Sequence, residues 1–190
     1  MNRKIYLIRH EETEDGEVKR YRGHTDCKLS KRGIKEAKQL AYIFQESGII
    51  INSIFSSDLI RCKSTVDIAF PKGKVTFLKA LREINMGDFD GLTFDEVKKK
   101  YPGEFIERGE NISEYTPLNG ESFRQCQERA INIFDYIINS TCGNVAICSH
   151  SGFLRALLCS ILKLDLKDMF SIKQDYGCIN IIRNEESNFM

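Results

Sequence analysis

The chain has 190 residues, of which 42% are hydrophobic and 29% are charged, and its formal net charge is +1. This length can bury one core, so we expect a single domain over residues 1–190. The near-zero net charge gives no overall field that would attract nucleic acid or an anionic membrane surface. Because the sequence has neither a stretch of roughly 20 apolar residues nor a recognisable secretory signal, we expect a cytoplasmic protein without a membrane partner.

Strand and helix patterns alternate along the first half of the chain. Ser30 is a candidate N-cap and Gly48 a candidate end of one helix, in which Ile34 shares the spacing of the apolar face. Asp58 is the candidate start of the next helix, which Pro71 ends. In chain order, the predictions are a strand over 4–8, a helix over 31–47, a strand over 51–55, a helix over 58–70 and a strand over 75–78.

The second half begins with a weakly patterned segment. Thr93 and Glu96 form a capping-box pattern, which predicts a short helix that ends before Pro102. Periodicity is weak from residue 103 to residue 120, so we expect residues 84–120 to form a lid or a segment that determines substrate specificity. The remaining predictions are a helix over 122–139, a strand over 144–148, a helix over 151–163 and a strand over 178–183. This alternation predicts an α/β fold with a mostly parallel sheet that is covered on both faces.

Two histidines follow predicted strands at distant points of the chain. His10 follows Arg9 after the first strand, and His150 follows Ser149 after a later one. Since ligand sites of parallel sheets lie at the carboxyl ends of the strands, we expect the two imidazoles to share a site. A neighbouring arginine lowers the pKa of a histidine and offers paired donors to a phosphate or carboxylate. A lone histidine more often caps a strand, and that alternative stays open for each ring taken alone.

Arg61 and Glu83 are further candidates for the same site. Arg61 lies on the first turn of a predicted helix and can point toward His10, or it can pair with Asp58 on an exposed helix surface. Glu83 follows an apolar segment, and glycines after it allow a tight loop. A neutral imidazole, cationic groups and a carboxylic acid are what phosphoryl transfer through a covalent histidine needs. This chemistry needs neither a metal nor a cofactor, and we expect none.

The seven cysteines indicate no framework of disulfides or metal sites. They lack paired Cys-x-x-Cys spacing, and several lie in apolar periodic stretches where a reduced thiol packs as a small hydrophobic group. The three histidines lie far apart in the sequence and supply no cluster of metal ligands. We therefore interpret the cysteines as reduced thiols.

The chain resembles the histidine phosphatase superfamily, in its phosphoglycerate mutase-like branch, over nearly the entire sequence. Five blocks carry the resemblance in the same order: Leu7–Thr13, Gly23–Asp26 with Leu29, Ser30 and Gly33, Ser56–Ser57 with Arg61 and Thr65, Glu83–Ile84 with Gly87 and Gly91, and Ser149–Gly152 with Arg155. The resemblance implies a three-layer α/β/α sandwich. It also implies a catalytic set and a set of substrate contacts. The catalytic set is His10 as the phosphorylated nucleophile, Glu83 as the acid and base, and Arg9, Arg61 and His150 around the phosphate; the substrate contacts are Arg22, Gly23 and Ser151.

Two residues depart from the family pattern. Glu11 stands where the family usually has glycine after the nucleophile, and Gly16 stands where an asparagine often contacts phosphate. A carboxylate about 5 Å from a phosphate charge costs about 3 kcal/mol at an effective dielectric constant of about 20. We therefore expect Glu11 to point away from the phosphate or to pair with a cation such as Arg22 or Arg82.

The resemblance leaves three functions to compare. Only 66 residues separate Glu83 from His150, which favours a metal-independent phosphatase acting on a small phosphorylated metabolite over a phosphoglycerate mutase. Residues 117–123 and 174–178 resemble α-ribazole phosphatases of cobalamin biosynthesis, so α-ribazole 5′-phosphate is the first named substrate, followed by a range of small phosphate esters. A noncatalytic module that binds a phosphate ligand or a protein is the alternative from another class, supported by Glu11 and Gly16 alone. The sequence predicts no oligomeric state.

Overall fold

The computed structural model describes residues 3–14, 18–185 and 188–189 of the chain. The strands of this part are β1 (Arg3–Arg9), β2 (Ser53–Ser56), β3 (Val75–Phe77), β4 (Val145–Ser149), β5 (Ile179–Glu185) and β6 (Asn188–Phe189). The α-helices are α1 (Lys31–Glu46), α2 (Ile60–Ala69), α3 (Phe94–Lys100), α4 (Pro102–Glu110), α5 (Phe123–Ser140) and α6 (Ser151–Ile161). Short 3-10 helices cover Lys79–Leu81, Gly87–Phe89 and Leu166–Ser171. Within the described ranges, no helix has the length and apolar character needed to span a membrane.

The strands form one sheet in the order β3-β2-β4-β1-β5-β6. The first four strands of this order run parallel, and β5 and β6 pair antiparallel at one edge. The predicted α/β fold with a mostly parallel sheet is therefore confirmed. Cys148 pairs in register with both Ile8 and Ser56, so the carboxyl ends of β1, β4 and β2 lie level with one another.

Helices cover both faces of the sheet because alternate strand residues point to opposite sides. Tyr6 and Ile8 pack in the core cluster with residues of α1 and α2. Ile5 and Leu7 pack in the larger cluster with residues of α5 and α6. These four β1 side chains are buried. The result is the three-layer α/β/α arrangement that the resemblance implied.

Helix α1 begins as predicted, and its buried residues are Gly33, Ala37, Leu40 and Phe44. The Ser30 side chain accepts a hydrogen bond from the Gly33 N–H and caps the helix. Ile34 is 40% exposed, so its predicted place on the apolar face is wrong. A Cβ atom on Gly33 would lie 2.1 Å from the Glu12 carbonyl oxygen, which shows that the helix approaches the loop after β1 through this glycine. The close approach turns Gly33 inward and Ile34 outward.

Asp58 does not start helix α2. The helix begins at Ile60, whose N–H donates to Oδ1 of Asp26 over 2.7 Å. The carboxylate of Asp58 instead accepts two hydrogen bonds from Arg82, at 2.6 and 2.7 Å. These bonds lower the pKa of Asp58. The alternative in which Asp58 pairs with Arg61 is therefore wrong, because Arg82 from a later loop binds Asp58 instead.

The weakly periodic segment contains a helix that the sequence pattern did not predict. Pro102, predicted as a break, lies in the first turn of α4, where its missing N–H leaves no helical bond unmade. Helix α4 has no fully buried residue, and Phe105 and Ile106 are its only large apolar side chains, which is too few for a periodic pattern in the sequence. A closing motion of residues 84–120 stays a prediction.

Candidate active site

Because the carboxyl ends of β1 and β4 lie level, His10 and His150 lie close together, as predicted. His10 follows β1 and His150 follows β4, and the centroids of their rings lie 5.1 Å apart. The His10 N–H donates to the Ser149 carbonyl oxygen over 3.0 Å, which extends the sheet pairing by one residue beyond β1. Both side chains are buried. The structure thus brings the two motifs, which are remote in the sequence, to a single site.

The His10 ring is held with one nitrogen available for attack. Its Nδ1 lies 2.8 Å from the Glu11 carbonyl oxygen. Because a carbonyl oxygen only accepts, Nδ1 carries the hydrogen and the Nε2 lone pair stays open. Burial, followed by the charges of Arg61 and Arg9, lowers the pKa of His10 well below its ordinary value of 6.5. The ring is therefore neutral and nucleophilic at neutral pH.

Arg61 is a buried guanidinium fixed by three acceptors. It is 2% exposed. Its Nε donates to Nδ1 of His150 over 3.0 Å, and its two terminal nitrogens donate to the carbonyl oxygens of Thr25 at 3.0 Å and Gly23 at 2.8 Å. A guanidinium has five N–H donors in a rigid fork, so these bonds fix its orientation and leave donors for an anion.

His150 is fully buried, and both of its ring nitrogens face protein groups. Since Nδ1 accepts from Arg61, Nε2 carries the hydrogen and donates to Oγ of Ser57 over 2.8 Å. Burial and the charge of Arg61 lower the pKa of His150 well below 6.5, so this ring is also neutral. In this arrangement His150 orients Arg61. Its direct contact with a phosphate stays a prediction.

Arg9 is the last residue of β1 and directly precedes His10. One terminal nitrogen donates to the Gln174 carbonyl oxygen over 2.6 Å, and the guanidinium lies 3.9 Å from the centre of the Tyr176 ring. Its buried Nε has no hydrogen-bond partner in the described part of the chain. An N–H group at this place can donate to an oxyanion held at His10.

Glu83 is docked on the N-terminus of helix α6. Its Oε1 accepts from the N–H groups of Ile84 at 3.0 Å and Phe153 at 2.8 Å, and its Oε2 accepts from the N–H of Gly152 at 3.0 Å. A carboxylate offers about four lone-pair positions, so one position on Oε2 remains for the proton that an acid transfers. Glu83 lines the same cavity as His10. A role as acid and base stays a prediction.

This docking requires glycine at position 152. A Cβ atom there would lie 2.6 Å from Oε1 of Glu83. We expect Gly152→Ala to displace the carboxyl group and lower kcat about tenfold, because the displaced group no longer has the position from which it would transfer a proton. Gly109→Ala in α4 is the matched control, since nothing lies within 4 Å of its Cβ position. Equal activity of the two variants in steady-state assays would contradict the docking role.

The three predicted substrate contacts occupy different places. Arg22 hydrogen-bonds Thr13, and Ser151 accepts from Arg155 over 3.1 Å; both Arg22 and Ser151 line the cavity. Gly23 is buried, with its N–H bonded to Asp90 and its carbonyl to Arg61. The structure thus gives Gly23 a supporting position behind Arg61. Direct contact with substrate stays a prediction for all three.

Asp90 is a structural support that the sequence analysis missed. Its carboxylate accepts hydrogen bonds from the N–H groups of Gly23, His24 and Thr25, at 2.8, 2.7 and 2.8 Å. This loop carries two of the carbonyl groups that hold Arg61, so Asp90 fixes the guanidinium from behind. An aspartate before a glycine is common in loops, and nothing in that local pattern indicates a partner more than sixty residues away.

Glu11 points away from the phosphate-binding groups, as one of the two expectations stated. Its side chain is 3% exposed and lies against Gly177. Pairing with Arg82 does not occur, because Arg82 binds Asp58. Burial, followed by the charge of Glu36, raises the pKa of Glu11 to about 7. Gly16, the other departure, lies outside the described residues.

A cavity of about 530 Å³ opens above His10. Its base is polar and contains Arg9, Arg61 and Glu83. Its walls combine aromatic residues (Tyr21, Phe94, Phe105, Phe123, Phe170 and Tyr176) with basic ones (Lys19, Arg20, Arg22, Arg108 and Arg155). The guanidinium of Arg108 from α4 lies 5.1 Å from the Tyr21 ring centre and 5.8 Å from that of Phe123. The sequence analysis did not identify this aromatic lining, since its members come from separate elements without a shared motif.

Comparison with known proteins places the chain in a family and identifies solved structures with the same fold. The sequence profile of the histidine phosphatase superfamily (branch 1) matches residues 5–190. Phosphoserine phosphatase 1 of Hydrogenobacter thermophilus is 32% identical over 96% of this chain and 87% of its own length. A 2,3-bisphosphoglycerate-dependent phosphoglycerate mutase of Nitrobacter winogradskyi is 28% identical over 95% of this chain and 91% of its own. The crystal structure of the α-ribazole phosphatase of Shigella flexneri superimposes with a TM-score of 0.89, covering 98% of this chain and 92% of that one at 23% identity.

Proposed function

The chain belongs to branch 1 of the histidine phosphatase superfamily, and on this basis we propose that it hydrolyses phosphate monoesters through a phosphohistidine on His10. The observation that carries the proposal is the neutral His10 ring, with Nε2 open and two buried or half-buried arginines beside it. Neutral imidazole attacks phosphorus, and fixed guanidinium donors stabilise the charge on the transferring oxygens. No metal takes part in this scheme.

The proposed reaction has two steps, formation and hydrolysis of the phosphohistidine. In the first, the lone pair of His10 Nε2 forms a bond to phosphorus, the ester P–O bond breaks, and protonated Glu83 gives its proton to the departing alkoxide. In the second, Glu83 takes a proton from water, the water oxygen bonds to phosphorus, and the P–N bond breaks. Orthophosphate and neutral His10 result. Arg9 and Arg61 hold the nonbridging oxygens throughout, and each charge-assisted hydrogen bond contributes about 1.5–3 kcal/mol.

The substrate we propose first is α-ribazole 5′-phosphate, among a range of small phosphorylated metabolites. The aromatic walls of the cavity support an ester whose alcohol carries a planar apolar ring, since such rings stack favourably on aromatic side chains. Phosphoserine is the second candidate, because a phosphoserine phosphatase is 32% identical to this chain.

Substrate profiling tests the proposal. Purified protein is assayed, with a chelator present, for phosphate release from α-ribazole 5′-phosphate, phosphoserine and phosphoglycerates, and for isomer formation from the phosphoglycerates. We expect phosphate release that the chelator does not change, with the highest kcat/KM for the aromatic ester. Isomer formation faster than phosphate release would identify a mutase. Absence of turnover over the whole panel would favour the noncatalytic module.

Glu83 is expected to matter most for esters with poor leaving groups. An alkoxide needs a proton as it departs, whereas an aryl oxide leaves with less assistance. We expect Glu83→Gln to lower kcat by about a hundredfold for an alkyl phosphate and by about tenfold or less for p-nitrophenyl phosphate. Equal losses for the two esters, measured in parallel assays, would remove Glu83 from the acid role.

A further inference from the structure

Glu11 packs directly against the turn that carries Tyr176. A Cβ atom on Gly177 would lie 2.3 Å from one carboxyl oxygen of Glu11 and 2.6 Å from the other. The Gly177 N–H donates to the His10 carbonyl oxygen over 3.3 Å. The adjacent Tyr176 ring lies 3.9 Å from the Arg9 guanidinium and has its centre 5.6 Å from that of His10. The Glu11 side chain therefore supports, from behind, a turn whose front face lines the active site.

The surroundings of Glu11 disfavour a negative charge. The groups that face it are Glu36 from α1, Cys148 from β4 and Arg9 from β1. From α2, Thr65 accepts from the Glu11 backbone N–H over 3.1 Å. Oε1 of Glu36 accepts from Arg32 over 2.7 Å, whereas its Oε2 is buried without a hydrogen-bond partner in the described part of the chain. A second carboxylate beside it, removed from water, is costly unless it carries a proton.

We propose that Glu11 is a positioning residue for the hydrolysis proposed above, on which this inference rests. As a neutral acid it packs against Gly177 and holds Tyr176 against Arg9 and His10. When it ionises, the carboxylate moves toward water, the turn over residues 175–178 loses its support, and Tyr176 no longer holds Arg9 in place. The residue that replaces the usual glycine after the nucleophile thus makes the site dependent on one further proton.

The raised pKa of Glu11 determines how stability and activity change with pH. The pKa of Glu11 lies at about 7 in the folded chain against an ordinary value of 4.5. Folded protein therefore retains a proton that the unfolded chain has lost between these values. The stabilising effect of the neutral acid is complete below about 4.5 and is lost as the pH rises through about 7. Activity that depends on the neutral form falls over the same upper range.

The test compares the pH profiles of kcat/KM for wild type and Glu11→Gln with p-nitrophenyl phosphate. The amide keeps the shape of the neutral acid and cannot ionise. We expect wild type to be about tenfold less active at about pH 8 than at about pH 6, and Glu11→Gln to match wild type at the lower pH without the fall. Glu36→Gln is the matched control: it removes the facing charge, so the fall moves to lower pH while activity at about pH 5 stays unchanged.

Identical profiles of wild type and Glu11→Gln would overturn the inference while leaving the proposed hydrolysis intact. Thermal melting gives a second measurement that needs no turnover. The melting temperature of Glu11→Gln relative to wild type is expected to rise between about pH 5 and about pH 8. If neither protein hydrolyses any ester, the proposed function fails; a melting difference that does not change with pH would overturn the Glu11 inference as well.

Discussion

A His10→Ala variant is expected to lose at least about 10⁴-fold in kcat for every phosphate ester that the wild type hydrolyses. The variant lacks the only ring that combines an open Nε2 with the adjacent Arg9 and Arg61 donors in the described cavity. Water would have to attack phosphorus without a covalent intermediate. Steady-state release of phosphate measures the loss, and circular dichroism confirms the fold.

His24→Ala is the matched control for this prediction. The Nε2 of His24 lies 3.0 Å from the Glu83 carbonyl oxygen, and the ring is partly buried beside the cavity. We expect its loss to lower kcat by less than about tenfold, because it removes one supporting hydrogen bond. If His10→Ala retained activity within about tenfold of His24→Ala, His10 would not be the nucleophile.

An Arg61→Ala variant is expected to lose about 10³-fold in kcat/KM. The change removes a proposed hydrogen-bond donor to the phosphate. It also leaves Nδ1 of buried His150 and the carbonyl oxygens of Gly23 and Thr25 without the hydrogen bonds that Arg61 donates. Arg61→Lys keeps the positive charge, but a single ammonium group cannot reach three acceptors that a planar fork spans. We therefore expect kcat/KM of Arg61→Lys to exceed that of Arg61→Ala by less than about tenfold.

The exposed Arg32→Lys substitution controls for the general effect of this exchange, because Arg32 pairs with Glu36 on the surface of α1. We expect it to change kcat/KM by less than about twofold. Calorimetric titration with orthovanadate measures anion affinity separately from turnover. An Arg61→Lys enzyme with nearly wild-type kcat/KM would show that charge alone suffices at this position and would contradict the proposed geometry.

The sequence predicted the parts of the site that depend on strand ends. His10 and His150 each follow a short apolar run, and parallel pairing must place such ends at one edge of the sheet. The predicted helix caps were equally local: the side chains of Ser30 and Thr93 cap α1 and α3 by accepting hydrogen bonds from the N–H groups three positions later. Local chemistry and one rule of sheet topology were sufficient for these elements.

The parts that sequence reasoning missed depend on contacts between distant segments. Asp26 replaces Asp58 at the start of α2, and Asp90 holds the loop behind Arg61. Neither aspartate differs in its local pattern from an ordinary loop residue. Helix α4 has no fully buried residue and only two large apolar side chains, so periodicity did not indicate its contribution of Phe105 and Arg108 to the cavity.

Glu11 illustrates how a departure from a motif is resolved by folding. From the sequence, a carboxylate beside the nucleophile implied repulsion of phosphate. In the structure the side chain lies behind the pocket against Gly177, and its raised pKa keeps it largely neutral below about pH 7. The electrostatic conflict is thereby reduced without a cationic partner such as Arg82, which already binds Asp58.

The phosphohistidine itself provides the most direct test. Wild-type protein is mixed briefly with a radiolabelled phosphate ester and quenched within milliseconds, and the denatured protein is exposed to acid or alkali. We predict a label on the protein that acid removes and alkali leaves in place, and that is absent from His10→Ala. A wild-type protein that turns over ester without acquiring this label, or a label that persists in His10→Ala, would contradict attack by His10 on phosphorus.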